Sequence, residues 1–480
     1  MAEPHRERQH YNVTLAILTV AGTAYALQQT MVIPALPALQ RELHTTTTWV
    51  TWVLTILLLV ASVSTPVLGK LGDQYGKGRL LVISILLFFV GCVGAAAAWN
   101  IWVLIFFRAV QGFGAPVFPL SFGIIRDEFP PDRVPVGIGL ISAVFGIGGG
   151  LGIVLSGLIV DHLSWRWLFI FGAIPVGVSA LLVHAFVPES PIKTPSRVDF
   201  VGATLLSGGL VCLLLALTEG ESWGWGSARI GGLFVASGAL LAAWVVAELR
   251  VAEPMVDMHV FVQRQVLFTN LCALITGFAM FGTFVLIPNF VETPRGLGPA
   301  AARVADYGFG ASATKAGLYL LPSSIALLFA GPIAGLIGRR IGSKWPLAAG
   351  MLLAGISAGM LALWHDQPWQ ILAAMPVLGV GIGFAFAAMA TLITEAVRRT
   401  ETAVATGMNT VMRTVGGVVG GQVGAAILTA HLIDGTSVPQ VRGYEIAFAI
   451  SAVAALVGAV LALLVTPTRR ARLVPAEATD

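Results

Sequence analysis

Charged residues and cysteines are scarce in this sequence of 480 residues. Only 11% of the residues are charged and 56% are apolar, whereas a soluble domain carries about 25% charged residues, so a soluble globular protein is excluded. The three cysteines, Cys92, Cys212 and Cys272, lie inside apolar runs without the spacing of metal ligands, so we predict neither disulfides nor a metal centre. The long apolar runs are typical of a membrane protein with helical spans.

Phosphate-binding and cofactor motifs are also missing from the sequence. It has no Walker-type loop, so we predict no ATP-driven chemistry, no cofactor and no enzyme activity. The glycine-rich stretch Gly146–Gly152 lies inside an apolar run, where we expect it to mediate helix contact rather than to hold phosphate. The net charge of +4 is small and comes from loop lysines and arginines, which argues against a nucleic-acid partner.

About 14 apolar runs are long enough to cross a bilayer, which predicts an all-α polytopic membrane protein. The first predicted span is Val13–Leu36 and the fifth is Val134–Val160. When both termini are placed on the cytoplasmic side, about 19 of the 28 lysines and arginines fall on cytoplasmic segments. We therefore expect a multi-pass protein of the cell membrane with cytoplasmic N- and C-termini.

A charged stretch from Gly69 to Arg79 separates the second and third runs, and we predict that it is a short loop. It resembles the loop pattern G-x-L-x-D-x-x-G-x-[KR]-x-[KR] of the major facilitator superfamily at Gly69, Asp73 and Gly76, with the basic pair Lys77 and Arg79 one residue early. The alternative is an ordinary positive-inside loop, but such a loop needs neither an aspartate nor glycines at fixed positions.

The fourth predicted span contains a buried charge in a second pattern of this kind. Arg108 and Gln111 stand in a segment similar to R-x-x-Q-G-x-G of the same superfamily, which implies that the arginine faces a central cavity and is linked to proton coupling. The alternative is an arginine that reaches toward the outer surface. We favour the cavity because Gln111 lies nearly one turn away on the same helix face.

The fifth span is similar to the antiporter pattern G-x-x-x-G-P-x-x-G-G. Gly148 and Gly152 match, Ile153 takes the place of the proline, and Ser156 stands for a glycine before Gly157. The small residues predict close helix packing, and the missing proline weakens the antiporter interpretation because no kink is ensured.

Several further segments resemble the 14-span drug:proton antiporter family within this superfamily. They are Ser164–Phe169, Asp199–Gly202, Trp223–Trp225, Glu253–Asp257 and Gly407–Gly416. The resemblance implies two six-helix bundles, residues 1–197 and 260–466, separated by two inserted helices in residues 198–259 and followed by a cytoplasmic tail, 467–480. It also implies alternating access and efflux of amphipathic compounds against protons.

The first span departs from that family. Gln28 stands where the family pattern has a membrane aspartate, and a glutamine cannot titrate. Every Asp and Glu lies in a loop or close to a span end, so proton coupling needs another acid. One candidate is Glu292, at the outer end of the ninth span, with a wet loop acid as the alternative. The second candidate is the cluster of Asp73, Asp127, Lys77 and Arg79.

The resemblance implies that Asp73 contacts the N-terminus of a span in the other half, where the helix dipole favours a negative charge. We expect that span to be the one beginning near Thr402. We hypothesise that this contact latches the halves together and that protonation or substrate binding releases it.

Asn409 and Arg413 lie one turn apart in the thirteenth span, either as an interhelical strut or as substrate contacts. With Arg108 and Arg413 and no deep acid, the cavity is expected to prefer neutral, zwitterionic or anionic molecules over cations.

We interpret the protein as a proton-coupled exporter of hydrophobic or amphipathic small molecules such as drugs, functional as a monomer in the lipid bilayer. The alternatives are an exporter or uniporter of one metabolite, lipid or peptide without proton coupling, and a membrane sensor or scaffold that transports nothing.

Overall fold

The computed structural model describes residues 10–190, 199–295, 305, 307–433, 436 and 438–466. Within these ranges the regular elements are helices, apart from one isolated β-bridge between Leu432 and Pro439. The helices are α1 (Tyr11–Met31), α2 (Leu36–Glu42), α3 (Thr47–Tyr75), α4 (Lys77–Ala96), α5 (Ile101–Gly112), α6 (Val117–Glu128), α7 (Val134–His162), α8 (Arg166–Phe186), α9 (Phe200–Trp223), α10 (Ala228–Arg250), α11 (Met258–Phe261), α12 (Arg264–Glu292), α13 (Ala313–Ile341), α14 (Lys344–Leu363), α15 (Pro368–Ala396), α16 (Thr402–Ala430) and α17 (Val441–Leu464). A 3₁₀ turn, Arg399–Glu401, precedes α16.

Twelve helices of the described chain are long and apolar enough to cross a membrane, and α5 and α6 together form one of them. The predicted first and fifth spans are also helices, α1 and α7, but they fall outside that set. Threonines and a pair of glutamines lower the hydropathy of α1. Helix α7 is one continuous helix of 29 residues, long enough to be a span, and its segments Val134–Val144 and Gly150–Val160 are apolar. The protein is therefore a multi-pass helical membrane protein.

The Gly69–Arg79 stretch is not a loop, and that prediction was wrong. Helix α3 continues to Tyr75 and α4 begins at Lys77, so Gly76 alone separates them. Its φ of 123° lies in a region that a residue with a side chain adopts only with strain. The charges of this stretch did not end the helix because Asp73 and Lys77 are buried against other helices.

The same backbone device recurs in the second half of the chain. Gly335, Gly338 and Gly342 repeat the spacing of the earlier glycines, and Gly342, with φ of 93°, separates α13 from α14. Helices α3 and α13 are both 29 residues long. The shared spacing of Gly69, Gly72 and Gly76 with these three glycines therefore corresponds to a repeated helix–glycine–helix unit.

Helices α7 and α13 pack tightly along a seam of glycines. A Cβ on Gly139 would lie 2.4 Å from the carbonyl oxygen of Gly331, and one on Gly335 would lie 2.4 Å from that of Pro135. On Gly146 it would lie 2.7 Å from the carbonyl oxygen of Ser324. We call these contacts the glycine seam; they bring backbone against backbone between two helices far apart in sequence.

Candidate functional site

Asp73 lies at the N-terminus of α16. Its carboxylate accepts hydrogen bonds from the backbone N–H groups of Ala403 at 3.0 Å and Val404 at 3.1 Å. The side chain is only 1% exposed. Backbone N–H groups at a helix start have no intrahelical partner and attract negative charge, so this contact joins α3 to a helix 330 residues further along. A Cβ on Gly69 would lie 2.9 Å from the carbonyl oxygen of Ala403, which explains the glycine one turn before the acid.

Lys77 connects Asp73 to Asp127. Its ammonium nitrogen lies 3.4 Å from the carboxylate of Asp73 and 2.6 Å from that of Asp127. Asp127 also accepts a hydrogen bond from the hydroxyl of Ser190 at 2.6 Å. All three charged side chains are buried, so the pairing offsets a desolvation cost that an isolated charge would carry in full.

Arg126, which sequence analysis missed, makes the second contact with the region before α16. Its guanidinium donates to the carbonyl oxygens of Val397 at 2.6 Å and Arg398 at 3.0 Å, and to the hydroxyl of Thr402 at 2.6 Å. Because this arginine directly precedes Asp127 at the end of α6, one short segment carries both an acidic and a basic side chain. We call Asp73, Lys77, Arg126 and Asp127 the Asp73 cluster.

Arg79 does not join this cluster. It is more than half exposed and lies 3.7 Å from the carboxylate of Glu189. Glu189 accepts hydrogen bonds from the backbone N–H groups of Gly78 at 3.1 Å and Arg79 at 3.0 Å, and so caps the N-terminus of α4. Neither Glu189 nor Ser190 was predicted, since both act from the segment that follows α8, more than 60 residues from their partners.

Arg108 is fully buried among the helices of the first half, and the structure does not place it on the wall of the cavity described below. Its Nε donates to the carbonyl oxygen of Val53 at 2.9 Å, and its Nη1 donates to the Gln111 side chain at 2.6 Å. The Gln111 amide in turn donates to the sulfur of Cys92 at 3.2 Å. The guanidinium therefore ties α5 to α3 and, through Gln111, to α4.

Arg413 borders a cavity between helices from both halves of the chain. The cavity is small, about 10 Å³ or room for about one water molecule, and is lined by Phe122, Ser142, Phe386, Ala390, Thr406, Asn409, Thr410 and Arg413. The Arg413 guanidinium lies 4.3 Å from the ring centroid of Phe386, a distance typical of a cation–π contact. We call this space the Arg413 cavity. It begins about one turn beyond Ala403, so the Asp73 cluster lies at one end of it.

Asn409 and Gln28 occupy different environments. The Asn409 amide donates to the Asn270 side chain at 2.9 Å, joining α16 to α12, while Asn409 also borders the Arg413 cavity. The Gln28 side chain is fully buried, and neither its Nε2 nor its Oε1 has a hydrogen-bond partner. A Cβ on Gly172 would lie 1.7 Å from the Gln28 Oε1, so the Gln28 side chain extends from α1 and packs against α8.

The predicted helix-packing residues line the two sides of α7. A Cβ on Gly148 would lie 2.4 Å from the backbone of Ala26, and one on Gly152 would lie 2.0 Å from the Thr30 hydroxyl, so this side meets α1. A Cβ on Gly157 would lie 2.6 Å from the hydroxyl of Thr314 of α13, and Ser156 is fully buried.

Glu292 is the last residue of α12 and is exposed. It lies at the end of the bundle opposite the Asp73 cluster, since α12 begins beside the segment that precedes α16.

The segment after α10 meets the rest of the chain beside the Asp73 cluster. Lys70 donates to the carbonyl oxygen of Pro254 at 2.9 Å, and both residues line a second cavity of about 30 Å³. Met255 belongs to an apolar cluster with Trp244 of α10 and Met408 of α16. The connection after α10 therefore contacts both α3 and α16.

A family model described as Major Facilitator Superfamily matches residues 18–421 and, in a second match, residues 269–479. The tetracenomycin C resistance and export protein of Streptomyces glaucescens is 28% identical over 341 residues, which cover 70% of this chain and 61% of that protein. Multidrug resistance protein 3 of Bacillus subtilis (strain 168) is 32% identical over 282 residues, 58% of this chain and 52% of the relative. The chain thus spans less than two thirds of the length of these relatives.

A solved structure has a similar fold. The crystal structure of the human organic anion transporter MFSD10 (TETRAN) matches with a TM-score of 0.67 at 13% sequence identity, over 95% of this chain and 100% of that chain. At this identity the likeness concerns the fold alone.

Proposed function

Because the chain belongs to the Major Facilitator Superfamily, we propose that it exports amphipathic small molecules by alternating access, driven by proton entry. Family membership makes it a transport protein rather than an enzyme. The names of two relatives, one for tetracenomycin C export and one for multidrug resistance, favour drug-like substrates. Their bacterial sources favour the plasma membrane.

The observation that carries this proposal is the position of the Arg413 cavity between the halves, with the Asp73 cluster at one end. Phe122 and Ser142 come from the first half of the chain, and Phe386 and Arg413 come from the second. A space between two bundles that is held shut at one end is the arrangement that alternating access requires. We propose that the Asp73 cluster is the latch and that its end of the bundle faces the cytoplasm, with both chain termini.

The proposed architecture has two six-helix bundles, residues 1–197 and 260–466, and an inserted pair of helices within residues 198–259. Residues 467–480, beyond the described ones, form the proposed cytoplasmic tail. Counting α1 and α7 as spans alongside the twelve gives fourteen. The repeated helix–glycine–helix unit supports the division into halves, because related halves are expected to repeat their local geometry.

We propose that the coupling acids lie in the Asp73 cluster. A protonated Asp73 or Asp127 would lose its attraction to Lys77, and Asp73 would also lose its charge at the α16 N-terminus, which weakens the latch. Glu292 is the second candidate, at the far end of the bundle. The Gln28 amide does not titrate and therefore cannot carry the coupled proton.

The experiment is transport by the purified protein in proteoliposomes with an imposed pH gradient, an internal pH dye and a panel of cationic, neutral and anionic amphiphiles. We expect substrate-triggered proton flux that Asp127→Asn abolishes. Glu292→Gln tests the second acid, and the exposed Asp132 provides the matched control, Asp132→Asn. Absence of transport for every class would refute the export proposal.

A uniporter without proton coupling is the second candidate, and the environment of Gln28 favours it. The first span of this chain has a buried amide where related antiporters are expected to have an acid, so one route for protons is absent. Substrate movement without proton flux in the same vesicles would establish the uniporter. A sensor or scaffold would move neither substrate nor protons.

A further inference from the structure

The lining of the Arg413 cavity has one charge and no opposite charge. Its eight residues include the guanidinium of Arg413 and no acid, and the Arg413 side chain is partly accessible inside the cavity. A ligand cation in this space would meet only like charge, which is costly at low dielectric.

A buried hydroxyl supplies a second polar contact for a ligand. Ser142 of α7 borders the cavity, is 1% exposed, and its Oγ has no hydrogen-bond partner in the structure. An unsatisfied hydroxyl at this depth carries a cost, and a ligand oxygen in the cavity would remove it. The hydroxyls of Thr406 and Thr410, by contrast, already donate to backbone carbonyls of α16.

Two aromatic rings border the same space from opposite halves of the chain. Phe122 comes from α6 and Phe386 from α15, and both are buried. Aromatic side chains favour flat apolar ligands, which stack or pack edge-on against them. The cavity therefore combines a planar cation, a free hydroxyl and two rings.

We propose that the substrates of this transporter are aromatic acids, which bind in the Arg413 cavity when the halves separate and widen it, with the carboxylate or phenolate on Arg413 and Ser142 and the ring system against Phe122 and Phe386. This inference rests on the proposed export function and names the class of substrate for it. The guanidinium suits a carboxylate because its fork of donors matches two oxygens at once.

The test uses three probes that share one ring system: naphthalene carboxylate, naphthalene carboxamide and naphthylmethylammonium. Binding of each to the purified full-length protein is measured by calorimetry, with gel filtration and melting temperature as folding controls. We expect the carboxylate to bind at least ~10-fold more tightly than the ammonium compound. Arg413→Gln should weaken carboxylate binding by ~10- to 100-fold and leave carboxamide binding within ~3-fold.

Two further variants separate recognition from structure. Arg413→Lys keeps the charge without the fork and should restore part of the carboxylate affinity. Ser142→Ala should weaken carboxylate binding by ~10-fold, because the hydroxyl contributes one hydrogen bond to a charged acceptor. An equal loss for all three probes in Arg413→Gln, or no binding of the carboxylate by the wild-type protein, would overturn the inference.

Counterflow of the same probes in proteoliposomes distinguishes this inference from the function on which it rests. Carboxylate binding that depends on Arg413, without movement of any probe, would support the site and contradict export. Movement of the ammonium compound in preference to the carboxylate would support export and overturn the assignment of substrate class.

Discussion

Asp73→Asn removes the charge at the junction between the two halves and retains the shape of the side chain. The wild-type carboxylate accepts two hydrogen bonds from the α16 N-terminus, at 3.0 and 3.1 Å. A hydrogen bond to a charged group contributes at least about 1.5 kcal/mol and a neutral one about 1 kcal/mol, so an amide oxygen that keeps both bonds loses about 1 kcal/mol in all. The α16 dipole adds about 0.5–1 kcal/mol to the difference.

The expected loss of the latched state is therefore about 2 kcal/mol, or roughly a 30-fold shift toward the open state. Lys77 remains paired with Asp127 at 2.6 Å in this variant, so no buried charge is left alone to unfold the protein. The effect is thus expected on conformation and not on the amount of folded protein.

The assay is the labelling rate of a cysteine in the Arg413 cavity. Thr410→Cys is introduced into a chain whose Cys92, Cys212 and Cys272 are replaced, and a membrane-impermeant maleimide is applied to the proposed cytoplasmic face in inside-out vesicles. Asp73→Asn should accelerate labelling by roughly 30-fold, in proportion to the open population.

The matched control is Asp132→Asn on the same face of the protein. Asp132 is 60% exposed and lies 3.8 Å from Arg339 of the other half. Exposed ion pairs contribute little, so the labelling rate should stay unchanged. Equal rates in wild type and Asp73→Asn, at equal amounts of folded protein, would refute the latch and the reasoning behind it.

Two further substitutions test other parts of this region. Arg126→Gln should accelerate labelling in the same assay by several-fold, because it removes three hydrogen bonds to the segment before α16; a slower or unchanged rate would contradict this. Gly76→Ala should destabilise the protein by about 1–3 kcal/mol, since φ is 123° and the new Cβ would lie 2.5 Å from the Glu189 carboxylate. Its control is Gly421→Ala, whose Cβ meets open space, and a melting temperature lowered equally in both would refute the strain argument.

The sequence was most informative about the contact of Asp73. The resemblance to a family pattern led to the expectation of a helix N-terminus near Thr402, and the structure places Asp73 on the N–H groups of Ala403 and Val404. It was least informative about Glu189 and Ser190. Their side chains act on α4 and on Asp127 only after a segment beyond α8 has docked, and no local periodicity encodes such a contact.

The Gly69–Arg79 stretch shows why charge alone misled the prediction of a loop. Charged residues between apolar runs usually mark solvent, yet Asp73 and Lys77 satisfy each other inside the bundle and α3 continues past them. The count of spans was similarly sensitive to composition. Helix α1 has the length of a span, but its threonines and glutamines lower its mean hydropathy below that of the twelve apolar helices.

The glycine seam between α7 and α13 affects how the halves can move. Most helix interfaces lock because side chains of one helix fill the gaps of the other, and any slippage must first withdraw them. Where Gly139, Gly331 and Gly335 bring bare backbone together, few side chains need to be withdrawn. The seam therefore allows one half to rotate against the other with few side-chain rearrangements. A side chain added there would hinder this rotation and slow the turnover of the transport cycle, while each half kept its own fold.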